Sequence, residues 1–185
     1  QQTRGRSAGS RRAAGRHRRR GSGTPSRPVK VSYEIDLTTS ELGTVTDDLP
    51  AVRSVGAADR DALARLMLDA YTGTIDYDGE TLDDAIDEVD LWLQLAPKLD
   101  HSLGIVRNER IVAAIMVSEF DRVPHIAYVM TATDHKRTGL ARFLVRVCLQ
   151  QLRASGREKV RLAITRGNIA SERLFASVGA RSLPS

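Results

Sequence analysis

The chain has 185 residues, with 28 Lys and Arg against 23 Asp and Glu and a single cysteine. That length suits one domain plus a tail, with enough chain to bury a core. No apolar run approaches the roughly 20 residues needed to span a bilayer, and the N-terminus lacks the apolar centre of a signal peptide, so a cytoplasmic protein with no membrane partner is expected.

The net charge of +5 averages two unlike segments. Ten of the cations fall in residues 1–30, where there is no acid, which leaves 18 cations against all 23 acids over the remaining chain, a net of −5. The first segment, QQTRGRSAGSRRAAGRHRRRGSGTPSRP, has almost nothing to bury and is expected to be disordered. An arm for nucleic acid is one reading of it, and the tail is the only segment that offers nucleic acid a partner. A solvated extension is favoured, because no aromatic residue is there to stack on bases. The expected layout is an Arg-rich tail over 1–30, a short strand and linker over 31–50, and the folded domain over 51–185.

In VKVSYEIDL, Val31, Tyr33, Ile35 and Leu37 alternate with polar residues and predict a half-buried strand. AVRSV is a weaker strand, and AADRDALARLMLDAY then sets Leu63, Leu66, Met67, Ala70 and Tyr71 at helical spacing. Thr74 to Asp90 carries eight acids and no base. A calcium loop fails there: with Gly79 as the turn glycine, the glutamate position falls on Ala85. Leu82, Ile86 and Val89 make one stripe of an amphipathic helix, whose acids are either a solvated face or a negative rim for a cationic substrate.

SLGIV, RIVAAIMVSEF and HIAYVMTA follow, joined by short turns, and predict an antiparallel meander. A helix from Leu140 to Ala154 has Gly156 placed to end it, with Cys148 among its apolar positions as a buried, inert thiol. The strand KVRLAIT and a helix from about Ile169, stopped by Gly179, complete the chain. Together these elements imply a mixed α+β fold with a mostly antiparallel central sheet flanked by helices.

Between a strand and a helix stands KRTGLA, Lys136 to Ala141. A helix start leaves N–H groups unpaired and carries positive partial charge, and Gly139 and Ala141 let a ligand approach the backbone. Lys136 and Arg137 add charge, so the loop suits a pyrophosphate. It lacks the Gly-Lys-Ser/Thr ending of a P-loop and the three spaced glycines of a Rossmann loop.

KRTGLA followed by NIASERLFASVGA, Asn168 to Ala180, resembles the paired motifs of the GNAT superfamily of acetyl-CoA-dependent N-acyltransferases, in matching element order over residues 51–183. The resemblance implies an N-acetyltransferase that moves acetyl from acetyl-CoA directly to an amine acceptor, with no metal. It implies that the amides of Lys136, Arg137, Thr138, Gly139, Leu140 and Ala141 bind the CoA pyrophosphate. Val129, Met130 and Thr131 would pair with the pantetheine arm, and Asn168 would contact the cofactor, although Asn is also a favoured helix N-cap. Two positions depart from the pattern: Lys136 and Arg137 stand where Gln or Arg and Gly are usual, and Phe175 replaces the tyrosine that protonates the leaving thiolate in many members. Phe175 can pack on the cofactor but has no proton to give.

For the base that deprotonates the amine, the offset at which related enzymes place a glutamate lands on His125, with Glu119 second and Tyr128 third. His135 reads as loop surface, and His101 has no evident partner. The competing readings are a CoA-binding module without turnover and a nucleic-acid-associated protein led by its tail. The expected partner is an amine-bearing, cationic substrate. Family members complete another strand beyond Gly179, which leaves a homodimer or a shortened chain as alternatives.

Overall fold

The computed structural model describes residues 29–40, 42 and 50–184. The tail over 1–28, with its expected disorder and its nucleic-acid reading, and most of the linker lie outside these residues. In chain order come β1 (Lys30–Asp36), β2 (Val52–Ser54), α1 (Arg60–Tyr71), α2 (Leu82–Gln94), β3 (Leu103–Arg107), β4 (Arg110–Phe120) and β5 (Val123–Thr131). They continue as α3 (Leu140–Ala154), β6 (Lys159–Thr165), α4 (Ile169–Ala176) and β7 (Arg181–Ser182). The strands form one sheet in the order β2-β3-β4-β5-β6-β1-β7. Every neighbouring pair is antiparallel except β5 with β6, so the mixed α+β expectation holds. The first strand is built into this sheet between β6 and β7, and Ile35 and Leu37 are fully buried in its core.

The meander closes through two-residue turns. Asn108 and Glu109 (φ 48° and 61°) join β3 to β4, and Asp121 and Arg122 (φ 51° and 64°) join β4 to β5. Left-handed pairs match the twist of the flanking strands, which explains why such short links suffice. From Ile111 to Ser118 every residue of β4 is buried, so both its faces are covered, and α1 and α3 both pack on it. This strand is the floor of the core.

Helix α3 buries Leu140, Leu144, Val145, Cys148, Leu149 and Leu152, a stripe at helical spacing in which each Leu is worth about 1.5–3 kcal/mol. Phe143 and Val147 are half-buried at its edge. The helix ends in a Schellman turn: Gly156 has φ 79°, its N–H donates to Arg153 O (2.9 Å), and Arg157 N–H donates to Leu152 O (3.0 Å). Burial pushes the Cys148 thiol up to about 12, consistent with an inert side chain.

Helices α1 and α2 are clipped together where Arg60 donates from Nε and Nη2 to the two carboxylate oxygens of Asp90, each at 2.5 Å. The start of α2 is a capping box: Asp84 N–H donates to Thr81 Oγ1 (3.3 Å), and Thr81 N–H donates to the Asp84 carboxylate (2.7 Å). Its inward face is Ala85, Val89 and Trp92, with Leu82 and Ile86 half-buried beside them. The acidic side of α2 therefore has a fixed direction relative to β5.

Candidate active site

β5 and β6 pair at only two positions, His125 with Arg161 and Ile126 with Leu162, although β5 runs on to Thr131 and β6 to Thr165. Their outer neighbours continue alongside, since β1 pairs with β6 over all seven residues and β4 follows β5 to Thr131. The sheet thus opens along one seam. A cavity of about 600 Å³ occupies the gap, walled by Ala127, Tyr128 and Val129 of β5, Leu162 to Thr165 of β6, and side chains from α1, α2 and α4. Ala127, Tyr128 and Val129 are all half-buried, which breaks the alternation expected of a strand with one covered face.

At the far end of β5 the chain enters the KRTGLA loop. Arg137 has φ 62° and Gly139 φ 87°. The first value explains why glycine is usual at the Arg137 position: the loop needs a left-handed residue there, and this chain supplies it with a side chain that costs about 1–2 kcal/mol in that region. Residues 136–139 are exposed, and they lead into the first turn of α3 and its unpaired amides. Arg137 makes no ion pair among the described residues. Lys136 is committed elsewhere: its Nζ donates to Ala70 O (2.8 Å) at the last turn of α1, where a cation suits the helix dipole. Thr133 ties the same turn from above, its N–H donating to Asp69 Oδ2 (2.8 Å) and its hydroxyl to Asp69 O (3.0 Å). His135 is held by Asp134 (2.7 Å), which also accepts from Arg110.

Of the cofactor residues expected from the sequence, Val129, Asn168 and Phe175 line the cavity. Met130 turns into the core at 1% exposure, and Thr131 has its hydroxyl oxygen buried without a hydrogen-bond partner among the described residues. Asn168 does two jobs. Its Oδ1 accepts from Ser171 N–H (3.1 Å) as the cap of α4, and its Nδ2 donates to Asp76 Oδ2 (2.6 Å), which fastens the α1–α2 loop over the seam.

Of the three base candidates, His125 and Glu119 are not among the residues lining this cavity, whereas Tyr128 is. His125 sits at the first of the two closed pairs of β5 and β6, with its ring edge-on to Phe120 at 6.1 Å. Burial, followed by the Arg161 charge, holds its pKa below the usual value. Glu119 is gripped by Lys98 (3.1 Å) and Arg157 (2.7 Å). The β4–β5 register shifts between Met116 and Val117, so Tyr128 and Ile126 face consecutive residues of β4 and Ala127 between them has no partner there.

The acidic segment, by contrast, reaches the cavity. Asp76, Glu80, Asp84, Asp87 and Glu88 line it, with Lys30 the one opposing cation among the lining residues. Tyr128 Oη donates to Glu88 Oε1. Burial and then the Glu88 bond push the Tyr128 hydroxyl far above its ordinary value, and burial with the nearby Asp76 does the same for Tyr71. Both phenols therefore stay protonated across the neutral range. Tyr128 is the third base candidate in the sequence and Glu88 is not among them; a period-3.6 projection of α2 places Glu88 one turn after Asp84, but only tertiary packing sets that face against β5.

The acetyltransferase (GNAT) family model matches residues 61–180, about two thirds of the chain. The chain belongs to the GNAT acetyltransferase family. The fold agrees with solved GNAT structures. A GCN5-related N-acetyltransferase from Sphaerobacter thermophilus superposes with TM-score 0.63 at 17% identity, covering 85% of this chain and 50% of that one. The ribosomal-protein-S18-alanine N-acetyltransferase from Escherichia coli gives 0.58 at 15% identity, covering 71% and 77%. The diaminobutyrate acetyltransferase EctA from Paenibacillus lautus, in complex with L-2,4-diaminobutyric acid and coenzyme A, gives 0.53 at 21% identity, covering 69% and 73%. This chain thus spans half of the Sphaerobacter protein, and at these identities the likeness is one of fold. No curated protein matches by sequence. The GNAT fold uses acetyl-CoA, and the parted β5 and β6 leave room for such a group between them.

Proposed function

We propose that this GNAT protein transfers acetyl from acetyl-CoA to the amine of a small, cationic acceptor. The observation that carries the reading is the parted β5–β6 seam: one end leads to the KRTGLA loop and the middle opens into a cavity bearing five carboxylates. The amides of the first α3 turn, with Arg137 and the left-handed Gly139, hold the pyrophosphate. Val129 and its neighbours offer unpaired strand edge to the pantetheine arm. Acetyl-CoA, when bound, supplies a thioester with an electrophilic carbonyl carbon.

The five carboxylates raise the local concentration of cations, and in a partly closed cavity each close charge pair is worth more than in bulk water. That EctA structure, with diaminobutyric acid and coenzyme A bound, supports the idea that the fold can seat a diamine. Phe175 occupies the usual proton-donor position at 5% exposure. It can wall the seam, while the thiolate takes its proton from another source. A module that binds acetyl-CoA without turnover is the competing reading that Phe175 keeps in view.

An acetylation screen over an amine library, read by product mass and by thiol release, tests both. Acetylated diamines or oligoamines with matching thiol release support transfer. Calorimetric binding of acetyl-CoA without thiol release for any amine leaves the binding module, and no binding at near-millimolar acetyl-CoA overturns the reading altogether.

A further inference from the structure

Amine acetylation needs a proton acceptor, and neither His125 nor Glu119 reaches the cavity. An alkylamine with pKa near 10.4 is neutral in about one molecule in 2,500 at pH 7, so the cavity must take a proton from the ammonium form before the nitrogen can attack. Five carboxylates line that space, and four are engaged or peripheral. Asp76 accepts from Asn168 Nδ2 (2.6 Å), Asp84 is consumed by the Thr81 capping box, and Glu80 accepts from Asp78 N–H (2.8 Å). Asp87 is exposed at the rim. Glu88 is half-buried, makes no ion pair among the described residues, and receives a hydrogen bond at one oxygen from the Tyr128 hydroxyl.

Tyr128 stands two residues beyond Ile126, the last β5 residue paired with β6, which puts it where the seam first opens. Its partner lies 40 residues away on α2. The contact therefore fixes a carboxylate beside the one stretch of β5 that a bound thioester would flank.

We propose that Glu88 is the proton acceptor for the incoming amine and that Tyr128 positions its carboxylate in the cavity. The proposal rests on the acetyl-transfer reading. Glu88 takes one proton from the acceptor ammonium. The freed nitrogen lone pair forms the C–N bond as the C–S bond breaks, with the C–S electron pair leaving on sulfur. The second proton, lost as the nitrogen becomes an amide, satisfies the thiolate, and Glu88 returns its own to solvent. Tyr128 remains a neutral phenol throughout, so it is a donor that orients and not a second base.

The decisive experiment compares two classes of acceptor at pH 7 with wild type, Glu88→Gln, Glu88→Asp and Tyr128→Phe: an alkylamine, and an amine of low pKa that is already neutral. Glu88→Gln should lower kcat for the alkylamine by about 100-fold or more, the usual worth of a general base, and for the neutral amine by less than about threefold. Glu88→Asp, which keeps the carboxylate, should fall between wild type and Glu88→Gln. Tyr128→Phe should cost about tenfold in kcat for the alkylamine, again spared with the neutral amine. Two measurements stand apart from activity. Calorimetric affinity for acetyl-CoA should be the same in all four proteins, and the Tyr128 ring-carbon NMR signal should move in Glu88→Gln.

An equal loss for both amines, or no loss, overturns the proposal while leaving acetyl transfer intact. An unmoved Tyr128 signal removes its positioning role. A wild type that releases no thiol with any amine overturns the acetyl-transfer reading, and the assignment falls with it.

Discussion

The KRTGLA loop and the acidic wall of α2 face the same seam but are made differently. In the proposed reading the loop works through backbone: left-handed dihedrals at Arg137 and Gly139 and the amides of a helix start. The wall works through side chains drawn from separate elements, with Glu88 of α2 meeting Tyr128 of β5 and Asp76 meeting Asn168. Function held by backbone is local in sequence, whereas function held by side chains across 40 or 92 residues is not.

This contrast can be broken or sharpened by substitution. The largest effect is expected from Arg137→Glu, which puts an anion in the cradle. Losing one charge-assisted contact weakens acetyl-CoA by about 10–100-fold in calorimetry, with the KM for the amine unchanged. The double neutralisation Glu80→Gln with Asp87→Asn should do the reverse. The amine KM rises by about tenfold for a diamine and less for a monoamine, because only a second cation loses its partner, while acetyl-CoA affinity holds. If both variants move both ligands alike, the division of labour between loop and wall is wrong.

Lys136→Met separates charge from structure within the loop itself. Its ammonium caps α1 and does not face the cradle, so stability should fall by about 0.5–1.5 kcal/mol in denaturant titration while acetyl-CoA affinity changes by less than about threefold. Glu119→Gln and His125→Ala should leave kcat within about twofold of wild type, because neither side chain reaches the cavity. A smaller effect still concerns the clip between α1 and α2. The Arg60 bond holds the Asp90 carboxyl below its usual 3.8. Its stabilising contribution is therefore present above about pH 4 and is lost as pH falls through the lower folded value. Asp90→Asn should flatten the acid limb of a stability-versus-pH curve.

Much of the fold was legible because local signals agreed. The strand KVRLAIT and the helix from Leu140 to Ala154 have the limits their periodicity and Gly156 imply. The loop could be read because glycine and helix-start chemistry are local. The base could not. His125 followed from an offset along β5, but its closed pairing with Arg161 on one side and Ser118 on the other sets it outside the parted stretch of the strand. Glu88 looked like one acid among eight because nothing within α2 says which acid meets β5. That choice is made by Ala85, Val89 and Trp92 packing inward and by the Arg60 clip, which set the rotation of the helix.

The last turn of α1 belongs to both sites. Asp69 and Ala70 hold Thr133 and Lys136 of the cofactor side, and the next residue, Tyr71, walls the acceptor cavity. That turn is therefore the one piece of α1 through which a change at the loop can reach the cavity wall, and any coupling carried by it acts equally in both directions.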